Sequence, residues 1–402
     1  MKPELKAELN KIREEFTISN STLNKIAIDF YNDMTDRTML RMLKTYVFMN
    51  TDKILEDEYL TIDLGGTNIR ISKIKVLEGN ISIEKIIKIP LRTPLVDYTS
   101  NKYSLKSIFV MTLKKMMPFL EKNKLYTLAA TVSFELKSEG KDKAKIVELS
   151  KGFDLTDTLG EDIYKILTEA IEELKLKIIP SLIINDCAAT LATGKFYYPN
   201  ADIGFIVGTG HNGCFIDETG EIINIESANF NRNLPLTIYD NKYLDKISKT
   251  EAEKLFEVLI GGKYIGGIAN EIVKSLVQKG LLKESKPILT EDLTKILAGE
   301  NLLKYSSEQR EVIEEVAKIL FERSAKFIVS EILGILMQID KDLERNHTIV
   351  FDGSVYEKCE FFREEISNNL ESIFMDNVNK ISHKLIKDAS SIGPAIVSAS
   401  SK

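Results

Sequence analysis

The stretch from Tyr59 to Val76, YLTIDLGGTNIRISKIKV, constrains this chain more than any other. Two runs of β-branched and aliphatic residues, Tyr59 to Leu64 and Ile69 to Val76, flank the turn Gly65-Gly66-Thr67-Asn68, which is the pattern of a β-hairpin. Adjacent glycines let the backbone take left-handed angles and leave no Cβ between the turn and an approaching ligand. Backbone N–H groups in such a turn converge on an anion, and the Thr67 hydroxyl and Asn68 amide add donors. Asp63 ends the incoming strand, where a carboxylate can meet a phosphate-bound Mg2+ through the phosphates or through water. Arg70 adds positive charge just beyond. A GGTN turn alone is more often a plain hairpin; flanked by Asp63 and Arg70, it reads as a phosphate-binding loop.

At 402 residues the chain is long enough for two domains with sizeable cores. A net charge of -6 leaves no excess of Lys and Arg to neutralise nucleic-acid phosphates. The lysines are scattered among glutamates and read as solvated helix faces. Cys187, Cys214 and Cys359 lie far apart, which argues against a disulfide framework or a thiolate zinc site and suits a reducing compartment. Three histidines, His211, His347 and His383, argue against a histidine-rich metal centre. The charged N-terminus lacks the apolar core of a signal peptide, and no apolar run reaches membrane-spanning length. The expected location is the cytoplasm, with secretion only if a leader has been removed. Neither nucleic acid nor membrane is an expected partner, and the oligomeric state is left open.

Read in order, Leu5, Leu9, Ile12 and Phe16 recur at helical spacing, and a second helix is expected over about 21–34. RMLKTYVF, residues 41–48, leads to the first strand of the hairpin, and a third strand follows over 81–89. A helix near 104–121 and a strand near 128–134 come next. Lysine-rich residues 135–145 read as a mobile surface loop. A helix over 159–174, a strand over 181–186 and a helix over 188–195 follow. The stretch IGFIVGTGHNGCFID, Ile203 to Asp217, then repeats the opening arrangement of strand, glycine turn and strand, and residues 221–226 supply a third strand. This duplication suggests two similar units that grip a polyphosphate between their turns. Residues 250–278 are helical with interruptions at Gly261-Gly262 and Gly266-Gly267. Helices over 290–298 and 308–342, a strand from His347 and a last helix starting near Gly393-Pro394 complete the pattern.

Asp186 closes an apolar strand beside Asn185, and ligands in open α/β sheets bind at such strand ends. A carboxylate there can accept a proton from an alcohol attacking a phosphoryl group; the same dipeptide also suits a helix cap. Ser150 and Lys151 precede Gly152 in a turn that faces either a ligand or solvent. Glu226 ends a strand, and Glu257 sits in a mostly apolar helix. Thr209 in VGTGHN and Ser354 in FDGS are candidate phosphate donors. His211 reads more readily as a turn residue whose ring packs locally than as a ligand contact.

Taken together, DLGGTNIR, the Ser133-Phe134 pair, SKGFDLTDTLGEDI, IINDCAATLATG, PNADIGFIVGTGHNGCFID, INIE, LPLTIYD, FEVLIGGKYIGG and FDGSVYEK resemble the eukaryotic-type hexokinase family, in the same order and over most of the chain. The resemblance implies an α/β protein of two actin-like, ribonuclease-H-like domains with a central cleft, plus N-terminal helices. Its small domain would comprise residues 57–186 and 387–402, and its large domain residues 1–56 and 187–386. It implies an ATP-dependent kinase with Mg2+ that phosphorylates the 6-hydroxyl of glucose or a similar hexose, the first step of glycolysis. Asp186 would be the base. Ser133, Ser150, Lys151, Asn185, Asn212, Glu226 and Glu257 would hold sugar hydroxyls. Asp63, Gly65, Gly66, Thr67, Asn68 and Arg70, with Thr209, Gly210, Gly353 and Ser354, would face the nucleotide.

The chain departs from that pattern in places. Glu135 stands where proline follows Ser-Phe, NDCAAT replaces NDTVGT, and Ser227-Ala228 replace an aromatic and a glycine. His211 stands in place of a small hydroxyl residue. DASSIG, Asp388 to Gly393, lacks two glycines and a lysine of a DGSGKG-like turn. The differences fall mainly on the nucleotide side, so a sugar-binding sensor with impaired catalysis is the alternative reading.

Overall fold

The computed structural model describes residues 1–49, 54–149 and 152–400. It divides into two compact units, one of Met42–Phe205, Gly213–Glu226 and Ile386–Lys402, the other of Met1–Arg41, Ile206–Asn212 and Ser227–Leu385.

In the first unit the strands are β1 (Leu43–Phe48), β2 (Asp57–Leu64), β3 (Asn68–Leu77), β4 (Asn80–Pro90), β5 (Tyr126–Val132), β6 (Glu135–Gly140), β7 (Lys143–Glu148) and β8 (Ile178–Asn185). A five-stranded sheet has the order β4-β3-β2-β5-β8. The hairpin β2–β3 and strand β4 are antiparallel, whereas β2, β5 and β8 run parallel. Period-two alternation sorts β2 onto two faces. Leu60, Ile62 and Leu64 join a core with Leu105, Phe109 and Leu167 from the helices Leu105–Met116 and Ile163–Glu173. Tyr59 packs on the other face against Ala395 and Ala399 of the helix Ala389–Ser400. Asp63, two positions past Thr61 on that second face, therefore turns toward the same helix.

That helix starts at Ala389 and not near Gly393-Pro394, so Pro394 lies inside it. Proline removes the N–H that would bond the carbonyl four residues earlier. Here the Ser390 carbonyl instead accepts from the Thr131 hydroxyl at 2.7 Å, which keeps the helix intact. The expected loop over 135–145 is in fact the hairpin β6–β7, with Leu136 opposite Ile146 and Ser138 opposite Ala144. Leu136, Ala144 and Ile146 are buried in the core, and their burial outweighs the loop-like composition. Residues 43–48 are likewise a strand in their own right, pairing antiparallel with β11 (Glu221–Asn224). Before it, β9 (Ala201–Val207) and β10 (His211–Ile216) flank the second glycine turn, and β10 pairs antiparallel with β11.

The second unit is mostly helical. The helix Ser307–Ile339, 33 residues long, is its axis. Phe30, Phe230 and Phe256 form a ring cluster that meets the helix at its Phe327. The buried Arg323 guanidinium donates to both Asp240 carboxylate oxygens at 2.7 and 2.8 Å and lies 4.3 Å over the Phe16 ring. Gly261 ends the helix Leu255–Ile260, as expected, but Gly266-Gly267 do not interrupt Gly262–Gln278. A Cβ on Gly266 would lie 2.6 Å from the Thr290 nitrogen, and one on Gly267 would lie 2.1 Å from the Tyr243 ring. These glycines serve close packing. Strands β12 (His347–Asp352) and β13 (Ile381–Leu385) pair in parallel. Among the described residues no helix is long and apolar enough to cross a membrane.

The core beside β13 carries a pH-sensitive contact. His383 bridges the Tyr356 hydroxyl and, at 2.7 Å, the Ser367 hydroxyl. Burial, helped by Lys384 and Arg363, lowers its pKa from 6.5 to about 4. A folded value below the unfolded one means that the stabilisation is complete above pH 6.5 and is lost as pH falls toward 4. The loss from this group is about 3 kcal/mol at most. Denaturant unfolding at pH 7 and 4.5 should show a smaller difference in His383→Gln than in the wild type. An equal difference would mean that His383 does not titrate in the core.

Candidate active site

The parallel part of the first unit's sheet sets the geometry. In register, Leu64 lies beside Val132, and Val132 beside Asn185. Asp63, Ser133 and Asp186, each within one residue of that row, are thereby brought to the carboxyl ends of three adjacent strands. This is where open α/β sheets bind ligands. The Ser133 N–H donates to the Leu64 carbonyl at 3.1 Å, which locks the start of its turn to the end of β2.

Asp63 is nearly fully buried. Its Oδ2 accepts from the Arg70 guanidinium and from the Ser390 hydroxyl, both at 2.7 Å. Burial pushes its carboxyl above the ordinary carboxylate range, against the opposing pull of Arg70 and Ser390, and the nearby Asp186 adds to the push. The turn after it closes through a bond from the Gly65 N–H to the Asn68 carbonyl at 3.1 Å. The Asn68 amide donates to the Thr67 hydroxyl at 2.8 Å, and Thr67 itself is exposed.

Asn185 is the N-cap of the helix Asp186–Tyr197, its Oδ1 accepting from the Cys187 N–H at 2.7 Å. Its amide nitrogen also donates to the Phe134 carbonyl at 3.4 Å. Asp186 is the first helical residue and accepts from the same Cys187 N–H at 2.9 Å. The cap reading thus holds for Asn185, while Asp186 remains half-exposed at the strand end. Glu226 has a left-handed backbone, φ 57°, and accepts from Asn224 at 2.7 Å. Ser150 and Lys151 lie outside the described residues.

The second unit carries the other glycine turn. The Gly208 N–H donates to the Gly210 carbonyl at 3.0 Å. The carbonyls of Gly208 and Thr209 accept from the N–H groups of Gly262 and Lys263 at 2.8 and 2.9 Å, anchoring the turn on a helix start. A Cβ on Gly208 would lie 3.3 Å from both Gly353 Cα and the Ser354 nitrogen. Thr209, Gly210, Gly353 and Ser354 therefore form one small surface, with the Thr209 and Ser354 side chains exposed. Glu257 lies against it, accepting from the His211 N–H at 3.0 Å and from the Tyr264 hydroxyl at 3.4 Å. Asn212 Oδ1 accepts from the Ser227 N–H at 3.3 Å.

Two contributors escape a reading of the sequence. Ser390, which engages Asp63, lies in DASSIG, a segment notable in sequence only for the glycines it lacks. Glu331 meets the His211 ring from the middle of a long helix, where no local signal marks it. His211 is not a turn residue with a locally packed ring but the first residue of β10, its buried ring set against Phe256 and Glu331, both far along the chain.

Two hexokinase family models match the chain, over residues 8–196 and 202–400. The chain is 26% identical to Hexokinase-7 of Oryza sativa subsp. japonica over 96% of its own length and 95% of that protein's. It is 25% identical to Hexokinase-1 of Schizosaccharomyces pombe, covering 98% of this chain and 91% of the other. A hexokinase from Schistosoma mansoni solved with glucose superposes with a TM-score of 0.82 at 21% identity, over 99% of each chain. A glucokinase of the ROK family from Streptomyces griseus, solved with glucose and AMPPNP, gives 0.56 at 13% identity, covering 86% of this chain and 98% of that one. The fold is the actin-like one of those hexokinases, and the chain belongs to the hexokinase family of sugar kinases.

Proposed function

We propose that this protein transfers the γ-phosphoryl group of ATP to the 6-hydroxyl of glucose or a closely related hexose, as the entry step of glycolysis in the cytoplasm. The observation that carries the reading is the strand register that brings Asp63, Ser133 and Asp186 to one edge of the first unit's sheet. In this reading Asp186 takes the hydroxyl proton as the oxygen attacks phosphorus. Ser133, Asn185, Asn212, Glu226 and Glu257, with Ser150 and Lys151, fix the sugar's ring of hydroxyls. Leaving one such group unpaired costs about 1–3 kcal/mol, which gives the site its selectivity. The turns 65–68 and 208–210, with Gly353 and Ser354, hold the phosphates. Residues 57–186 with 387–402 act as the small lobe and residues 1–56 with 187–386 as the large one.

The donor set suits a cation that arrives with the nucleotide. Among the described residues no cluster of three or more His, Cys, Asp or Glu is arranged to hold a metal alone, and Mg2+ characteristically keeps several waters beside one carboxylate and the substrate's phosphates. Asp63 would be that carboxylate, through the phosphates or through water; one of its oxygens already accepts from Arg70 and Ser390. The ion would supply charge neutralisation on the transferring phosphoryl group.

A coupled assay with glucose and Mg·ATP, run beside a panel of other hexoses, tests the reading. ADP production dependent on hexose is expected. Thermal stabilisation by glucose without ADP would instead show a sugar sensor, and turnover confined to another hexose would reassign the substrate. Thr209→Val keeps the backbone bond to Lys263 and removes one hydroxyl. It should raise the KM for ATP about tenfold, the worth of one hydrogen bond to a charged group, with a smaller change for glucose. The reverse ranking would show that the turn is misassigned.

A further inference from the structure

We propose that His211 and Glu331 form a positioning pair that fixes the turn 208–210 and the Glu257 carboxylate against each other; this rests on the kinase reading and deepens it. Glu331 is fully buried within the helix Ser307–Ile339, a burial that glutamate tolerates only with a partner. Its Oε2 lies 2.6 Å from His211 Nε2, while its Oε1 has no hydrogen-bond partner among the described residues. The other ring nitrogen, Nδ1, is 3.2 Å from the Ile206 carbonyl. A carbonyl oxygen only accepts, so Nδ1 carries a proton, and the contact to Glu331 requires a second. The pair therefore shares one proton more than a bare carboxylate and a neutral ring would hold. It is neutral as a unit whether written imidazolium–carboxylate or imidazole–carboxylic acid, which makes its complete burial tolerable.

The geometry gives that pair a task. Ile206 and His211 stand on either side of the turn 208–210, and the ring ties one to the other while Glu331 anchors both to the central helix. The His211 backbone N–H donates to Glu257 Oε2 at 3.0 Å. A Cβ on Gly210 would lie only 2.2 Å from that oxygen, so turn and carboxylate are set within one contact of each other. A threonine or serine at 211, the small hydroxyl residue that the family resemblance leads one to expect, is too short to make the bridge.

The test has a structural and a functional arm. In protein labelled with 15N-histidine, the His211 ring signals are assigned by their loss in His211→Thr. They should show Nδ1 protonated; an unprotonated Nδ1 overturns the pair as drawn. Binding of Mg·ATP is then measured by calorimetry on the full chain. Glu331→Gln lets an amide donate to Nε2 and should bind within about threefold of the wild type. His211→Leu with Glu331→Leu replaces both partners with apolar atoms, whereas either change alone leaves the other group buried and unpaired, so the double variant's Tm should stay near the wild-type value, yet it should bind Mg·ATP about tenfold more weakly because the turn is no longer held. A purely structural role predicts the opposite, a lowered Tm with unchanged binding, and that result overturns the proposal. If that double variant does not fold, His211→Thr with Glu331→Leu serves in its place with the same expectations. A wild type that binds Mg·ATP without transferring phosphate sinks the kinase reading and leaves this one standing. A wild type that does not bind Mg·ATP sinks both.

Discussion

Asp186→Ala is expected to lower the rate of sugar phosphorylation by about 10²- to 10⁴-fold, the usual cost of losing a general base, while leaving sugar affinity within about tenfold. The fold should survive the change. Asn185, not Asp186, is the N-cap of the helix that follows, and its bond to the Cys187 N–H remains. The variant also removes a negative charge near the buried Asp63, which relieves a repulsion. Catalysis and stability are therefore separable at this residue. A coupled assay gives kcat, calorimetry gives the sugar Kd, and thermal unfolding checks the fold. Turnover close to the wild type would refute the assignment of Asp186 as base.

Gly353→Ala should be among the most destabilising single changes in the second unit. Gly353 has φ 113°, and a Cβ there would lie 2.5 Å from the Val207 carbonyl carbon and oxygen and 2.7 Å from the Gly208 nitrogen. All three are backbone atoms, so no side-chain rotation relieves the clash. At φ 113° and ψ 151° the backbone lies in a region essentially reserved for glycine, and a strain of about 1–3 kcal/mol adds to an overpacking cost of about 1–3 kcal/mol. Because the displaced backbone is that of the glycine turn, nucleotide affinity should fall with stability. Gly220→Ala is the control: its φ of 84° imposes strain, but no atom lies within 4 Å of its Cβ position. Denaturant midpoints for the two variants separate strain from collision. Equal midpoints would mean that the turns at 208 and 353 are not in contact.

Much of this architecture is legible in the chain. The hairpin around Gly65-Gly66, the strand that ends at Asn185 and the helix after it have short-range causes: β-branched runs, a glycine turn and an Asn cap. The candidate site residues could be picked out for the same reason, since Asp63, Asp186, Thr209 and Ser354 all sit at ends of local patterns. Sequence reasoning failed where a distant contact overruled composition. Residues 135–145 are lysine-rich, yet Leu136, Ala144 and Ile146 are buried in the core and make the segment a hairpin. Gly266-Gly267 resemble a helix break, yet the nearness of Thr290 and Tyr243 explains them as packing residues. Pro394 resembles a helix start, yet the Thr131 hydroxyl takes up the carbonyl it leaves unbonded.

The sequence by itself determined the kinds of element, their order and the chemical character of the turns, because hydrophobic period, glycine and capping residues act within a few positions of one another. It also determined which carboxylates stand at strand ends. Only the tertiary structure decided how those groups are held: Ser390 on Asp63 from 327 residues away, and Glu331 on His211 from 120. Side-chain partnerships in the interior depend on which elements the fold lays side by side. Neither residue carries that placement in its own neighbourhood of the chain.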